Sequence, residues 1–427
     1  MAEKLHELTG LEAAAKIASG DASSVELVQD CLDHIAERED IVGAWQYLDP
    51  EYALTQARQA DEAGPAGPFH GVPFGVKDVI ESGDMPTEHG SEIFKDNRPE
   101  ADAACIAAMR ASGAVLMGKT VSTEFATYQW GKTRNPHDPE RTPGGSSSGS
   151  AAAVGDKMVP IAFGNQTAGS LIRPAAFCGV HAFKPTHGTV NLAGIFELVA
   201  RLDTLGYMGR SVDDLAAFYN IVRGAEEHSP LPDGIGRTPR IGLCKTHHWN
   251  EAEISAVDAL ESAAARLEEL GAEVREFSLP DHFNDLAQTH TTILCAGLAR
   301  SMKDIHQNQG NRISDQLRTM LDDGANTSAA DVVTASAHAD KCMVEFASIT
   351  SEFDVLLTPS APGEAPEGWA TGNPIFQIVW TLLQVPCLTL PWNTGVNGMP
   401  VGIQLIGRKG NDDRVLRIGK WLDARKS

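Results

Sequence analysis

The stretch TPGGSSSGSAAAVG places Ser146, Ser147 and Ser148 side by side between glycines, residue types that could do chemistry on a carbonyl or a phosphate. A hydroxyl attacks a carbonyl carbon only when a base removes its proton during the attack. Residues 142–155 contain no histidine, lysine or acid, so any base comes from elsewhere in the chain. A P-loop would need Lys-Ser or Lys-Thr after its last glycine, and Gly149 is followed by Ser150 and Ala151. A nucleophile elbow of the form G-x-S-x-G fits Gly145 to Gly149 with Ser147 at its centre. That motif hangs from an apolar strand, whereas the preceding RNPHDPERTPG is polar and broken by proline. The elbow match is accidental on this ground, and Ser147 and Ser148 are expected to be structural.

A second stretch, FGNQTAGSLIRPAAFCG (Phe163 to Gly179), supplies what the first lacks. Small residues before Ser170 let several backbone N–H groups converge on one point, which an oxyanion hole requires.

Together with GVPFGVKDVI further upstream, these stretches resemble the amidase signature family of serine hydrolases. The closest motif match is to its short malonamidase-type members. The three motifs occur in order, with Lys77 69 residues before Ser146 and Ser170 24 residues after it. Weaker matches, LDTLGYMGRSVDDLA and VPCLTLPWNTGVNGMPVGIQLIGR, extend the resemblance to nearly the whole chain. The resemblance implies Ser170 as nucleophile, Ser146 as a bridging serine behind a cis peptide bond, and Lys77 as the base. It implies an oxyanion hole from Thr167, Ala168, Gly169 and Ser170, and hydrolysis of a linear amide C–N bond with no metal or organic cofactor. Lysine is a base only when neutral, so its pKa of about 10.4 must fall through burial. Neighbouring side chains of a strand project to opposite faces, which puts Lys77 inward and Asp78 elsewhere.

The chain departs from the family pattern at three places. Gln166 stands where most members carry aspartate, and Ala168 where they carry a second glycine. Arg173 lies three residues after Ser170 instead of two, as in the malonamidase-type branch, where the arginine is implicated in holding a substrate carboxylate. A guanidinium fork suits that role, and an internal brace is the equal alternative. Tyr128, Gln129 and Trp130 in STEFATYQWGKTRNP are expected to wall the acyl pocket. His181, His187, His247 and His248 lack ligand-like spacing and are expected to pack or face solvent, with Cys178 a small core residue. The expected substrate is a small-molecule amide. The glutaminase subunit of a tRNA-dependent amidotransferase, an ester or hydrazide hydrolase, and a non-catalytic scaffold are the alternatives.

The rest of the sequence sets the frame around these motifs. With 427 residues, 42% of them apolar, the chain can bury a large core. A net charge of −22 without a Lys/Arg block argues against nucleic acid as a partner, and a homodimer is kept open. Seven cysteines without a C-x-x-C pair fit a reducing, cytoplasmic setting, and no apolar run is long enough to span a membrane. SSVELVQDCLDHIAERE reads as an amphipathic helix capped by Ser23 or Ser24. From residue 71 onward, short apolar strands alternate with helices, the mark of an α/β fold. The expectation is one large domain over residues 1–427, a central mixed β-sheet flanked by helices on both faces. Its parts are a helical entry (about 1–62), a signature core (63–210), a helix-rich insert (211–350) and C-terminal strands completing the sheet (351–427).

Overall fold

The computed structural model describes residues 4–225 and 229–426. Its backbone is organised by one eleven-stranded sheet. The strands are β1 (Trp45–Leu48), β2 (Pro73–Lys77), β3 (Val115–Thr120), β4 (Ile161–Gln166), β5 (His181–Lys184), β6 (Thr204–Gly209), β7 (Arg240–Cys244), β8 (Glu273–Phe277), β9 (Val355–Pro359), β10 (Cys387–Thr394) and β11 (Pro400–Ile406). Their spatial order is β1-β3-β2-β4-β6-β5-β10-β11-β9-β7-β8. The sheet is mixed: β2 runs parallel to β3 and β4, while β4–β6, β5–β6 and β10–β11 are antiparallel.

Every residue of β2, β3 and β4 is buried. Both faces of the sheet's centre are therefore covered, which is why these strands read as continuous apolar runs instead of alternating ones. Fourteen α-helices among the described residues flank the sheet. Ser23 opens the helix Ser24–Val42 with a capping box to Glu26, and that helix buries Leu27, Val28, Cys31, Leu32 and Ile35 along one face. β8, at the sheet's end, is mostly exposed and carries Glu273, Arg275 and Glu276, charges that discourage edge pairing with another chain. All seven cysteines are free and buried. Among the described residues, no helix is long and apolar enough to cross a membrane.

The alanine run behind the serines has a packing reason. The helix Ser148–Gly155 is buried along nearly its whole length, and a Cβ on Gly149 would sit 2.3 Å from both Ala44 O and Val121 N. Only residues this small let the helix approach the backbone around β1 and β3, and that close approach brings the preceding serines to the end of β2.

Candidate active site

β2 ends on Lys77, whose side chain is fully buried. Its Nζ lies 2.6 Å from Ser146 Oγ and 2.6 Å from Asn165 Oδ1 on β4. Burial holds this lysine well below its ordinary pKa, opposed by the charge of Asp203. Asp78 points to the other face, where its carboxylate lies 3.7 Å from Lys119 Nζ and accepts from Glu88 N at 3.1 Å. Alternation along the strand thus separates the acid from the base.

The Gly145–Ser146 peptide is cis. Ser147 N donates to Ser170 O at 3.2 Å, which ties the serine loop to the second stretch. Ser147 Oγ is 3.3 Å from both Asn165 O and Asn165 N, and Ser148 Oγ donates to Val121 O. These two hydroxyls are occupied in holding strands together.

Residues 167–170 have all four carbonyls engaged. Thr167 O accepts from His290 Nε2 at 2.9 Å and Ala168 O from Thr381 Oγ1 at 2.7 Å. Gly169 O accepts from Arg173 N, and Ser170 O from Ser147 N. Among the described residues, the four N–H groups of this loop donate to no protein acceptor. Four acceptors tied down and four donors unspent is the pattern of a preformed anion cradle. Gln166 serves the loop from behind: its Nε2 donates to Thr381 Oγ1 at 2.9 Å, and its Oε1 accepts from Leu171 N and Ile172 N at 3.0 and 3.1 Å.

A cavity opens at this loop. Ala126, Thr127, Tyr128, Thr167, Ala168, Ser170 and Arg173 line it, with Leu198, Leu294, Leu298 and Met320 as an apolar wall. Arg173 is buried, and its Nη2 donates to Gly145 O at 2.7 Å. Its Nε and Nη1 are buried without a hydrogen-bond partner among the described residues. Burial lowers this guanidinium to about 10, opposed by Tyr128.

Lys77 thus meets Ser146 directly, Ser170 is joined to the serine loop through Ser147 N, and Thr167, Ala168, Ser170, Arg173 and Tyr128 share the cavity, with Gly169 lying between its lining residues in the chain. Gln129, Trp130 and Gln166 do not line the cavity. Gln129 O accepts from Glu124 N, Trp130 is 43% exposed, and Gln166 faces the interior. His181 pairs with Asp423 at 3.0 Å and His187 with Ala200 O at 2.8 Å. Among the described residues, no group of three or more His, Cys, Asp or Glu side chains is placed to hold a metal ion. Asn165, Asp203, His290 and Thr381 were not anticipated. Asn165 precedes Gln166 in the quoted motif and could have been found there, whereas the others meet the loop only through the fold.

Residues 26–416 match the family model Amidase. The glutamyl-tRNA(Gln) amidotransferase subunit of Chloroflexus aurantiacus is 34% identical, with 97% of this chain and 96% of that protein aligned. The protein of the same name from Symbiobacterium thermophilum is 32% identical over 94% of this chain and 93% of its own length. A crystal structure of an amidase superposes with a TM-score of 0.89 at 31% identity, covering 98% of this chain and all of that one. The peptide amidase of Stenotrophomonas maltophilia superposes with a TM-score of 0.83 at 26% identity, covering 98% and 97%. The chain belongs to the amidase signature family of hydrolases acting on amide C–N bonds.

Proposed function

We propose that this chain hydrolyses a small-molecule carboxylic amide through an acyl-enzyme on Ser170. The observation that carries the proposal is the buried Lys77, with its amine 2.6 Å from Ser146 Oγ and no carboxylate in salt-bridge range among the described residues. Burial of this kind favours the neutral amine, whose lone pair can receive a proton. Ser170 Oγ attacks the carbonyl carbon while its proton passes to Ser146 Oγ, and the proton of Ser146 passes to Lys77 Nζ. The N–H groups of residues 167–170 receive the oxyanion, a role worth about 10²–10³ in rate for a single donor. As the tetrahedral intermediate collapses, the C–N bond breaks and the proton returns through Ser146 to the leaving nitrogen. Water, deprotonated along the same path, then cleaves the ester.

Arg173 supports a substrate that carries a carboxylate. One arm of its guanidinium braces Gly145 O, while Nε and Nη1 lie buried and unpaired beside the cavity. Buried charged donors without partners are costly, and a carboxylate in the cavity would supply this guanidinium with an acceptor of opposite charge. Arg173→Ala removes the brace on Gly145 O for every substrate, and is expected to raise KM for half-amides of dicarboxylic acids by about tenfold or more beyond its effect on neutral amides of equal length.

The test of the mechanism is labelling with a fluorophosphonate and steady-state hydrolysis of small amides. Ser170→Ala should abolish both, and Ser147→Ala should keep both; the opposite result would establish the elbow serine instead. A glutaminase subunit is the second reading, supported by the name of the relatives at 34% identity. Against it stand the shifted arginine and an alignment of 471 positions to a chain of 427 residues, which leaves the relatives with insertions that this chain lacks. Purification with two stoichiometric partners would decide for this second reading.

A further inference from the structure

Asp203 precedes β6, and the β4–β6 register, Gln166 opposite Thr204, brings it across from Thr167. The side chain is buried, with the residue 5% exposed, and its two oxygens have separate tasks. Oδ1 accepts from Thr167 Oγ1 at 2.6 Å. Oδ2 accepts from Leu198 N at 2.8 Å and Val199 N at 2.9 Å. Leu198 belongs to the apolar wall of the cavity, so one carboxylate ties the first residue of the anion cradle to the wall facing it.

His290 holds the same residue from another side through Thr167 O. In a trans peptide the C=O of residue 167 and the N–H of residue 168 point in opposite directions. Fixing Thr167 by its hydroxyl and its carbonyl therefore fixes where the Ala168 N–H points, and the free side of that peptide is the cavity side. Resting on the Ser170 mechanism above, we propose that Asp203 is a positioning residue of the hydrolysis: its carboxylate, through Thr167, aims the Ala168 N–H at the oxyanion. A mere cap of the turn at residues 198–203 would need Oδ2 alone and leaves the bond to Thr167 without a purpose.

The charges around this pair are few. Lys77 is flanked by the neutral Ser146 and Asn165 and feels the charge of Asp203. Burial raises Asp203 to about 6, against its hydrogen bonds from Thr167, Val199 and Leu198, with Glu197 adding a little to the rise. His290, held at about 4 by burial, is neutral at working pH.

The experiment compares wild type, Asp203→Asn, Thr167→Val and the double variant. Each is measured for melting temperature, kcat, KM, the pH profile of kcat/KM, and fluorophosphonate labelling of Ser170. Thr167→Val keeps the β-branched shape and the backbone N–H and removes only the hydroxyl. It should lower kcat by about tenfold with KM within about twofold, a fraction of the loss seen when an oxyanion donor is removed outright. Asp203→Asn should lower kcat at least as much. It should also move the acid limb of kcat/KM to lower pH, because Lys77 loses the charge that favours its protonated form. The double variant should be no slower than Asp203→Asn, since the two side chains act as one unit. Wild-type kcat in Thr167→Val overturns the proposal, as does an unmoved acid limb in folded Asp203→Asn. If Asp203→Asn does not fold, Thr167→Val decides alone. Labelling of wild-type Ser170 together with unaffected variants would refute the role of Asp203 and leave the nucleophile standing, while absent labelling in wild type overturns both.

Discussion

Gly169→Ala is the sharpest probe of the anion cradle, because it alters no donor and no charge. The backbone at this glycine lies outside the left-handed region, so alanine adopts it without strain. The obstacle is space: a Cβ there would stand 2.7 Å from Gln377 Oε1, 3.0 Å from Pro374 Cβ and 3.2 Å from Gln377 Cβ. Carbon atoms pack at about 3.5–4.0 Å, so the contact with Pro374 is short by roughly 0.5 Å. Gln377 is fully buried with its amide on Ser360 O, and the helix Ile375–Leu382 that carries it also holds Ala168 O through Thr381. With the backing fixed, the loop moves toward the cavity. Overpacking of this kind costs about 1–3 kcal/mol. A displacement of about half an ångström takes donors out of the 2.7–3.1 Å window that oxyanion stabilisation requires. The expected loss in kcat is about 10- to 100-fold, equivalent to about 1.4–2.7 kcal/mol of barrier, with KM nearly constant. Ala168→Gly, which adds no atom, should stay within about threefold and serves as control. A folded Gly169→Ala enzyme with kcat within about threefold of wild type would refute the claim that this loop is rigid and catalytic.

Lys77 ties activity and stability to pH in the same direction. Its folded pKa is depressed, so kcat/KM should fall as pH drops through that value. In the window between it and about 10.4, the unfolded chain binds the extra proton and the folded chain does not, so this group's contribution to stability rises with pH. Relative to Lys77→Met, wild type should gain about 1.4 kcal/mol per pH unit through that window, read as converging denaturant midpoints; parallel midpoints would show a charged lysine. Thr381→Val removes both the bond to Ala168 O and the acceptor of Gln166 Nε2. It should cost about 1–3 kcal/mol of stability by thermal melting and lower kcat by more than that destabilisation alone explains.

How much of this was legible in the sequence depends on how local the signal is. Apolar runs bounded by glycine and proline mark β2, β3, β4, β9 and β11, and Ser23 with Glu26 marks a helix start, because burial and capping act over a few residues. β1, with only four residues, and β8, exposed and charged, carry too little apolar pattern to announce a strand. β6 lies inside LDTLGYMGR, a stretch that stands out as a family motif and not as a strand. The order of the strands follows from no local rule, since β10 sits between β5 and β11 across more than two hundred residues of chain.

The candidate site divides along the same line. The family resemblance points to Ser146, Ser170 and Lys77, but the depressed pKa of Lys77 is a property of its surroundings. It requires the fully buried β2 and an Asn165 that offers an uncharged oxygen at 2.6 Å where a carboxylate would have kept the amine protonated. Gln166 follows the same logic one residue on. It occupies a place where aspartate is usual, yet its amide satisfies two backbone donors with its oxygen and reaches Thr381 with its nitrogen, something a carboxylate cannot do. The carboxylate whose charge Lys77 feels is Asp203, already committed to three donors. The role proposed for Lys77 requires nearby negative charge to be this sparse, and the sparing is done by amides next to the lysine and by one acid whose oxygens are already occupied.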